Sequence, residues 1–334
     1  MKELFNHIAN REDLSEEEVE HLFDEILNND ISESEIAAFL MGLKVKGETP
    51  SEITGIVRAL KNHAVLLPRE FDDAMCNCGT GGDRSYSFNI STTASFVLAA
   101  GGIRVAKAGN RAVSSKSGSA DVLEALGINI SATPATLSRA LDEVGLAFIF
   151  AQSMHPAMRF IGPARKVLGI PTIMNIVGPL ANPVDLETQL MGLYRVDLQE
   201  TAAKVMQKLG RKRSLIITGP NNMDEAALYG ENTYTLLEND RISQHSFTYQ
   251  DLGMPRVELS DIVGGDAKQN AEILLSVLEN QASPYLETTV LNAGLGFYAN
   301  GKVDNLVDGV ELARQLIADG SALAKLRQLQ EVQV

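Results

Sequence analysis

The apolar positions of the first sixty residues recur at helical spacing. Val19, Leu22, Phe23 and Ile26 form one set, Ile36, Phe39, Leu40 and Leu43 a second, and Ile53, Ile56, Val57 and Leu60 a third. Steps of three and four residues put each set on one side of a helix, facing a shared core. The polar residues between the sets supply helix starts. Ser15 precedes Glu16, Glu17 and Glu18, so a cap is followed by acids in the positive first turn. Ser32 with Glu35 and Thr49 with Glu52 have the spacing of a reciprocal cap, and Pro50 stands at a first helical position. The pattern predicts a small helical domain over residues 1–66.

After Pro68 short apolar runs alternate with glycine-rich turns and longer amphipathic stretches. Ala74 to Lys107 reads as strand, glycine loop, helix (Ile90 to Ala100) and strand (Ile103 to Lys107), a βαβ unit. Leu146 to Ala151 and Ser214 to Thr218 read as further buried strands. Helical patterns at Ala135 to Val144, Leu198 to Leu209, Ala271 to Leu278 and Val310 to Ile317 can cover the sheet. The expectation is an α/β domain over residues 67–334 with a central, mostly parallel sheet flanked by helices. Met154 to Pro183 is rich in glycine and proline but also apolar, and part of 154–190 is predicted to rejoin the helical domain.

Composition narrows the function classes. The chain has 334 residues, 45% of them hydrophobic, enough for about two domains without disulfides. Its 29 Lys and Arg stand against 43 Asp and Glu, a formal charge of −14, which disfavours broad electrostatic binding to nucleic acid or anionic membranes. Cys76 and Cys78 lack the neighbours a zinc site needs and read as reduced structural thiols. No signal peptide is visible, and no apolar run approaches the roughly 18 residues of a membrane span. The expected location is the cytoplasm.

Charge is unevenly spread. Arg84 to Ala120 contains no acid but includes Arg84, Arg104, Lys107, Arg111 and Lys116; Val144 to Val184 contains none but includes His155, Arg159, Arg165 and Lys166. Two acid-free windows predict two anion-binding surfaces. The first holds Gly79-Thr80-Gly81-Gly82-Asp83, where glycines let backbone amides approach an anion, and Asn89, Ser91, Thr92 and Thr93 open the next helix. The run fits neither the Walker nor the dinucleotide pattern. A second small-residue loop, from Lys107-Ala108-Gly109-Asn110-Arg111 through Ser114, Ser115 and Ser117 to Ser119, follows the next strand. Two such loops could hold one polyphosphorylated ligand. Far along the chain Asp224-Glu225 sits at a loop-to-core junction, and a pair of hard oxygen ligands suits Mg²⁺ shared with substrate phosphates.

Cys78-Gly79-Thr80-Gly81-Gly82-Asp83, Phe88-Asn89-Ile90-Ser91-Thr92-Thr93, Gly109-Asn110-Arg111, Ser117-Gly118-Ser119-Ala120-Asp121, His155-Pro156, Gly178-Pro179-Leu180-Ala181-Asn182-Pro183 and Asp224-Glu225 occur in this order. Together they strongly resemble the anthranilate phosphoribosyltransferase family, along essentially the whole chain. The resemblance implies a helical domain joined to an α/β domain, a fold shared with pyrimidine nucleoside phosphorylases, and a homodimer. It implies inverting transfer of the phosphoribosyl group of phosphoribosyl pyrophosphate (PRPP) to the amine of anthranilate, a step of tryptophan biosynthesis.

Carried residue by residue, the resemblance places Gly79, Thr80, Gly82, Asp83, Ser87, Asn89, Ile90, Ser91, Thr92, Lys107, Asn110, Ser115 and Ser119 at PRPP. It places Gly79, Asn110, His155, Arg165 and Pro179 on the anthranilate side. Ser91, Asp224 and Glu225 are implied ligands of Mg²⁺, two ions per subunit, with Lys107, Asp83 and Arg165 as catalytic candidates. His155 reads more readily as a tunnel-wall or helix-capping residue than as a base. The chain departs from the family at Ala108, where a His is common, at Ser87 for Thr, and in the loop Thr218 to Met223. Two rival readings are a nucleoside phosphorylase of the same fold, which phosphorolysis would reveal, and a PRPP-binding relative without turnover.

Overall fold

The computed structural model describes residues 2–112 and 116–333. Helices α1 (Lys2–Ala9), α2 (Glu16–Leu27), α3 (Glu33–Lys46) and α4 (Pro50–Asn62) form an N-terminal bundle. Ser15, Ser32 and Thr49 each accept from the backbone N–H three residues on, while Glu18, Glu35 and Glu52 reach back to the cap. Three helix starts are thus capped by residues three positions apart in the chain.

The chain continues through β1 (Ala74–Gly79), α5 (Ile90–Ala100), β2 (Arg104–Gly109), α6 (Ser119–Ala125), α7 (Pro134–Glu143), β3 (Leu146–Phe150), α8 (Ala151–Met154), α9 (Gly162–Leu168), α10 (Met174–Leu180), β4 (Leu186–Gly192), α11 (Gln199–Lys208) and β5 (Arg213–Thr218). It ends with β6 (Asn232–Glu238), β7 (Arg241–Phe247), α12 (Ala267–Leu278), α13 (Pro284–Asn300), α14 (Leu306–Ala318) and α15 (Ser321–Val332). The sheet order is β3-β2-β1-β4-β5-β6-β7. The first five strands are parallel, and β6 and β7 add an antiparallel hairpin at the edge. The order reverses direction between β1 and β4, which opens a crevice beyond their carboxyl ends, where α/β sheets bind ligands.

Two cores meet at this sheet. One face, with Val105, Leu190 and Leu215, packs against α5 and α13. The other face, with Met191 and Ile216, shares a core with α2, α3, α4 and with Ile161, Ala164, Ile176 and Val177 from the middle of the chain. Helices α9 and α10 pack on α3 and α4. The hydrophobic side of the bundle is therefore closed by a segment almost a hundred residues beyond its own end.

Several elements depart from the sequence pattern. β4 carries Glu187, Thr188 and Gln189, too polar to read as a central strand, yet Thr188 and Gln189 are buried with their polar atoms paired to Asn300 and Pro179. β7 is an exposed edge with alternation too weak to identify it. α13 is buried nearly all round, so its apolar positions do not form a stripe.

Candidate active site

The crevice between β1 and β4 is shaped by two glycines. Gly79 ends β1 and pairs in register with Gly192 at the end of β4. A Cβ on either would overlap Asp224, at its carboxylate from Gly79 and at its backbone carbonyl from Gly192. Their lack of side chains lets the loop after β5 descend onto the sheet. Gly81 and Gly82 have φ of +66° and +84°, a backbone that other residues adopt at a cost. The turn they make aims the Gly81 N–H at Asp224 Oδ2, 2.6 Å away.

The remaining loop is held by short polar contacts. Asp83 Oδ1 accepts from the backbone N–H and the hydroxyl of Ser85, each at 3.0 Å, and Oδ2 accepts from Asp224 N–H at 3.3 Å. The Ser85 and Ser87 hydroxyl oxygens lie 3.3 Å apart. Thr80 N–H donates to Gly192 O at 2.9 Å, while Thr80 Oγ1 is buried without a partner among the described residues. Phe88 N–H donates to Ile262 O at 3.0 Å and Gly264 N–H to Tyr86 O at 2.8 Å, so residues 262–264 clamp the loop from outside.

At the start of α5, Ile90 and Thr92 are buried and Ser91 faces two charged groups. Ser91 N–H donates to Glu225 Oε1 at 3.2 Å, and Lys107 Nζ donates to Ser91 Oγ at 3.3 Å. Asn89 does not cap α5. Its Oδ1 accepts from Asn270 at 2.8 Å and its amide donates to Ser117 O at 3.5 Å. Asn110 N–H donates to Ser119 Oγ at 3.2 Å, and Asn110 Oδ1 accepts from Arg111 N–H at 2.8 Å, tying the second loop to α6. Ser119 lies within α6, one residue after the cap at Gly118. Ser115, and Ser114 beside it, lie outside the described residues.

Electrostatics separate the acids from ordinary surface carboxylates. Burial lifts Asp224 well above the usual range, and the nearby carboxylates of Asp83 and Glu225 act in the same direction. Burial also lifts Glu225, to about 7, against the pull of Lys107 and the Ser91 hydrogen bonds. Among the described residues no group of three His, Cys, Asp or Glu is placed to hold a metal by itself. Crowded carboxylates with Lys107 as the one buried cation near them among the described residues fit a divalent ion whose remaining ligands come from a substrate.

The acid-free windows need one correction. Arg104 pairs with Asp73 and faces Asp142, and Arg111 pairs with Asp121 at 3.0 Å and Glu124 at 2.6 Å, all acids outside the window. A second correction concerns the amides of Gly81 and Ser91, expected to be free for an anion, which are occupied by Asp224 and Glu225. Of the window cations that pair with no acid among the described residues, Arg84, Lys116, Arg159 and Lys166 are exposed, while Lys107 is buried and Arg165 partly so. Arg165 is half-buried on α9, has no ion-pair partner among the described residues, and is held below its usual pKa by burial alone.

His155 is buried with Nε2 donating to Ala181 O at 2.7 Å. Burial holds its pKa down against that carbonyl and the Leu60 carbonyl. The Ala181 bond ties the end of α8 to the end of α10, while Nδ1 is buried without a hydrogen-bond partner among the described residues. Pro179 lies inside α10. The helices that carry Arg165 and Pro179 pack on the helical bundle, while Lys107, Ser91, Asp83, Asp224 and Glu225 gather at the sheet. Cys76 and Cys78 are free, with Sγ atoms 3.4 Å apart on β1.

Sequence reasoning missed Asn77, whose amide donates to Ser91 O at 2.8 Å, and Asn270. It also missed Asn292 and Asn232, which bracket the acid pair by bonding both the N–H and the carbonyl of Ala226 and Ala227. Asn77 was legible as a polar residue in a buried strand. The others carry no local signal.

A helical bundle closing one side of a parallel sheet, with a glycine loop and an acid pair at the switch point, defines a class of phosphate-handling transferases. Residues 2–64 match the model of the glycosyl transferase family, helical bundle domain, and residues 72–323 that of its a/b domain. Anthranilate phosphoribosyltransferase of Streptococcus thermophilus is 78% identical over 334 residues, covering 100% of both chains. That of Streptococcus mutans is 63% identical with the same coverage. The crystal structure of the Thermus thermophilus enzyme superposes with a TM-score of 0.93 at 35% identity over 98% of each chain. The Saccharomyces cerevisiae enzyme, in complex with PRPP and Mg, gives 0.86 at 25% identity over 96% of this chain and 93% of that one. The chain belongs to the glycosyl transferase family and, within it, to the anthranilate phosphoribosyltransferases.

Proposed function

We propose that this protein transfers the phosphoribosyl group of PRPP to the amine of anthranilate, giving N-(5-phosphoribosyl)anthranilate and pyrophosphate in tryptophan biosynthesis. The observation that carries the reading is the meeting at Ser91 of Lys107, at 3.3 Å, and Glu225, at 3.2 Å, beside the glycine loop. A cation, an acid pair and a helix start at one point suit a polyphosphate and its metal.

PRPP is assigned to the loop Gly79 to Asp83, Ser87, the start of α5 from Asn89 to Thr92, Lys107 and the second loop at Asn110 and Ser119. Ser91, Asp224 and Glu225 would hold magnesium, which we read as two ions per subunit. When bound, the metal offsets the charge of the pyrophosphate. Lys107 stabilises the same leaving group more strongly as the ribose C1–O bond stretches and negative charge builds on oxygen. Arg165 is assigned to the anthranilate carboxylate, which it can meet bidentately, fixing the direction of an amine already neutral at pH 7. Attack from the opposite face inverts the anomeric carbon and needs no covalent enzyme intermediate.

The same proposal includes a helical domain over 1–66 joined by part of 154–190, a homodimer and a cytoplasmic location. Exposed Met41 and Val45 on α3 and Val167 on α9 offer apolar surface for a partner copy. Among the described residues no helix is long and apolar enough to cross a membrane.

The test is loss of anthranilate fluorescence on mixing with PRPP and Mg²⁺, with EDTA as control. EDTA-sensitive loss is expected. Its absence with PRPP still bound by calorimetry would indicate another acceptor, and phosphorolysis of nucleosides would indicate the phosphorylase reading.

A further inference from the structure

Gln189 is wholly buried in the middle of β4 and takes no part in the site described above. Both ends of its amide are engaged. Nε2 donates to the Pro179 carbonyl at 2.7 Å, and Oε1 accepts from Arg211 Nε at 3.4 Å. Arg211 is itself buried, donates to Leu209 O at 3.3 Å, and keeps Nη2 without a partner among the described residues. A guanidinium only donates, so it fixes the amide with the oxygen toward Arg211 and the nitrogen toward Pro179.

The Pro179 carbonyl needs that donor. It is one of the last carbonyls of α10, and the residue four positions on, which would satisfy it in a continued helix, is Pro183, which has no N–H. Gln189 supplies the missing bond from the sheet. Three residues later β4 ends at Gly192, against Asp224 and Gly79. One side chain therefore joins α10, which shares a core with Ala164 of α9, to the strand that abuts the phosphate loop.

We propose that Gln189, oriented by Arg211, is a positioning residue that sets the acceptor side of the crevice against the phosphate side. This rests on the assignment of anthranilate to the side that holds Arg165. The loss of its donor then weakens anthranilate binding and leaves PRPP binding nearly unchanged.

Q189E tests this directly, because its carboxylate can pair with Arg211 and preserve the fold but cannot donate to Pro179. Q189M removes both bonds at similar volume. In Q189E the anthranilate KM is expected to rise roughly five- to tenfold and the PRPP KM to stay within about twofold, with a fall in Tm smaller than that of Q189M because the carboxylate keeps its pairing with Arg211. Amide exchange across 174–180 in the substrate-free protein should quicken, with β4 unchanged. Equal rises in both KM values, or wild-type KM and exchange in both variants, would overturn the proposal. Should the wild-type protein show no anthranilate-dependent turnover, the functional reading fails instead. Exchange in α10 then decides this one alone, and unchanged exchange overturns it.

Discussion

The backbone N–H of Ser91 points at the carboxylate of Glu225, 3.2 Å away, although 134 positions separate them in the chain. Each group has a reason to be there. Ser91 opens a helix whose first N–H groups lack intrahelical acceptors, and Glu225 is a buried acid in want of donors. The contact meets both needs at once.

Metal-free stability should fall as pH rises. Burial lifts Glu225 from an ordinary 4.5 to about 7 in the folded protein, and lifts Asp224 well above its own ordinary value. Through that window the folded state keeps protons that the unfolded chain has released, so rising pH favours unfolding. Thermal melts of EDTA-treated protein should show Tm declining between about pH 5 and about pH 8, with a flatter profile for the D224N/E225Q double variant. Added Mg²⁺ should recover more Tm at the alkaline end. A level wild-type profile would count against buried, unmatched carboxylates.

Arg165→Ala should raise the anthranilate KM by roughly ten- to a hundredfold, consistent with loss of a charge-assisted bidentate contact, and alter the PRPP KM much less. Steady-state kinetics with each substrate varied in turn gives the ratio, and parallel changes in both would remove Arg165 from the acceptor.

Lys107→Met should lower kcat by roughly 10²–10³-fold with a smaller change in PRPP affinity, as expected for a donor whose contact strengthens with leaving-group charge. Single-turnover rates against calorimetric Kd separate the two. A loss carried wholly by Kd would make Lys107 a binding residue only.

Gly192→Ala should destabilise the protein by about 1–3 kcal/mol, because its Cβ overlaps the Asp224 backbone rather than a side chain that could turn aside. The Mg²⁺-dependent rise in Tm should shrink with it. An unchanged metal response would mean that the acid loop has another resting place.

His155→Asn should leave the pH profile of kcat in place, since the ring already spends Nε2 on Ala181 O at 2.7 Å and burial keeps it neutral. His155→Ala should cost about 1–3 kcal/mol in stability, the penalty for an unmet buried carbonyl. Loss of a limb in the kcat profile of His155→Asn would assign the proton to this residue after all.

Legibility tracked the range of the interaction. The caps at Ser15, Ser32 and Thr49 bond residues three apart, and the β1–α5–β2 unit is written in one continuous stretch, so both could be read from the chain alone. The glycine loop and the acid pair stood out by composition. What failed depended on partners far away. Gln189 looks too polar for a central strand until Pro179 and Arg211 are beside it, and Asn89 looks like a helix cap until Asn270, 181 positions on, takes its oxygen. Arg104 and Arg111 looked like free cations because their acids lie outside the window that was counted.

The descent of the Asp224 loop onto Gly79 and Gly192 also has a consequence for the order in which this protein matures. Gly81 and Asp224 are 143 residues apart, so the acid half of the site emerges only after the bundle, the phosphate loop and strands β1 to β5 have been made. A nascent chain that has reached β4 carries the loop but no acids to face it. Contacts of such long separation form late in folding, because loop closure must be achieved first. Metal binding therefore reports arrival of the Asp224 loop on the parallel strands, and a product that stops before that loop should bind none.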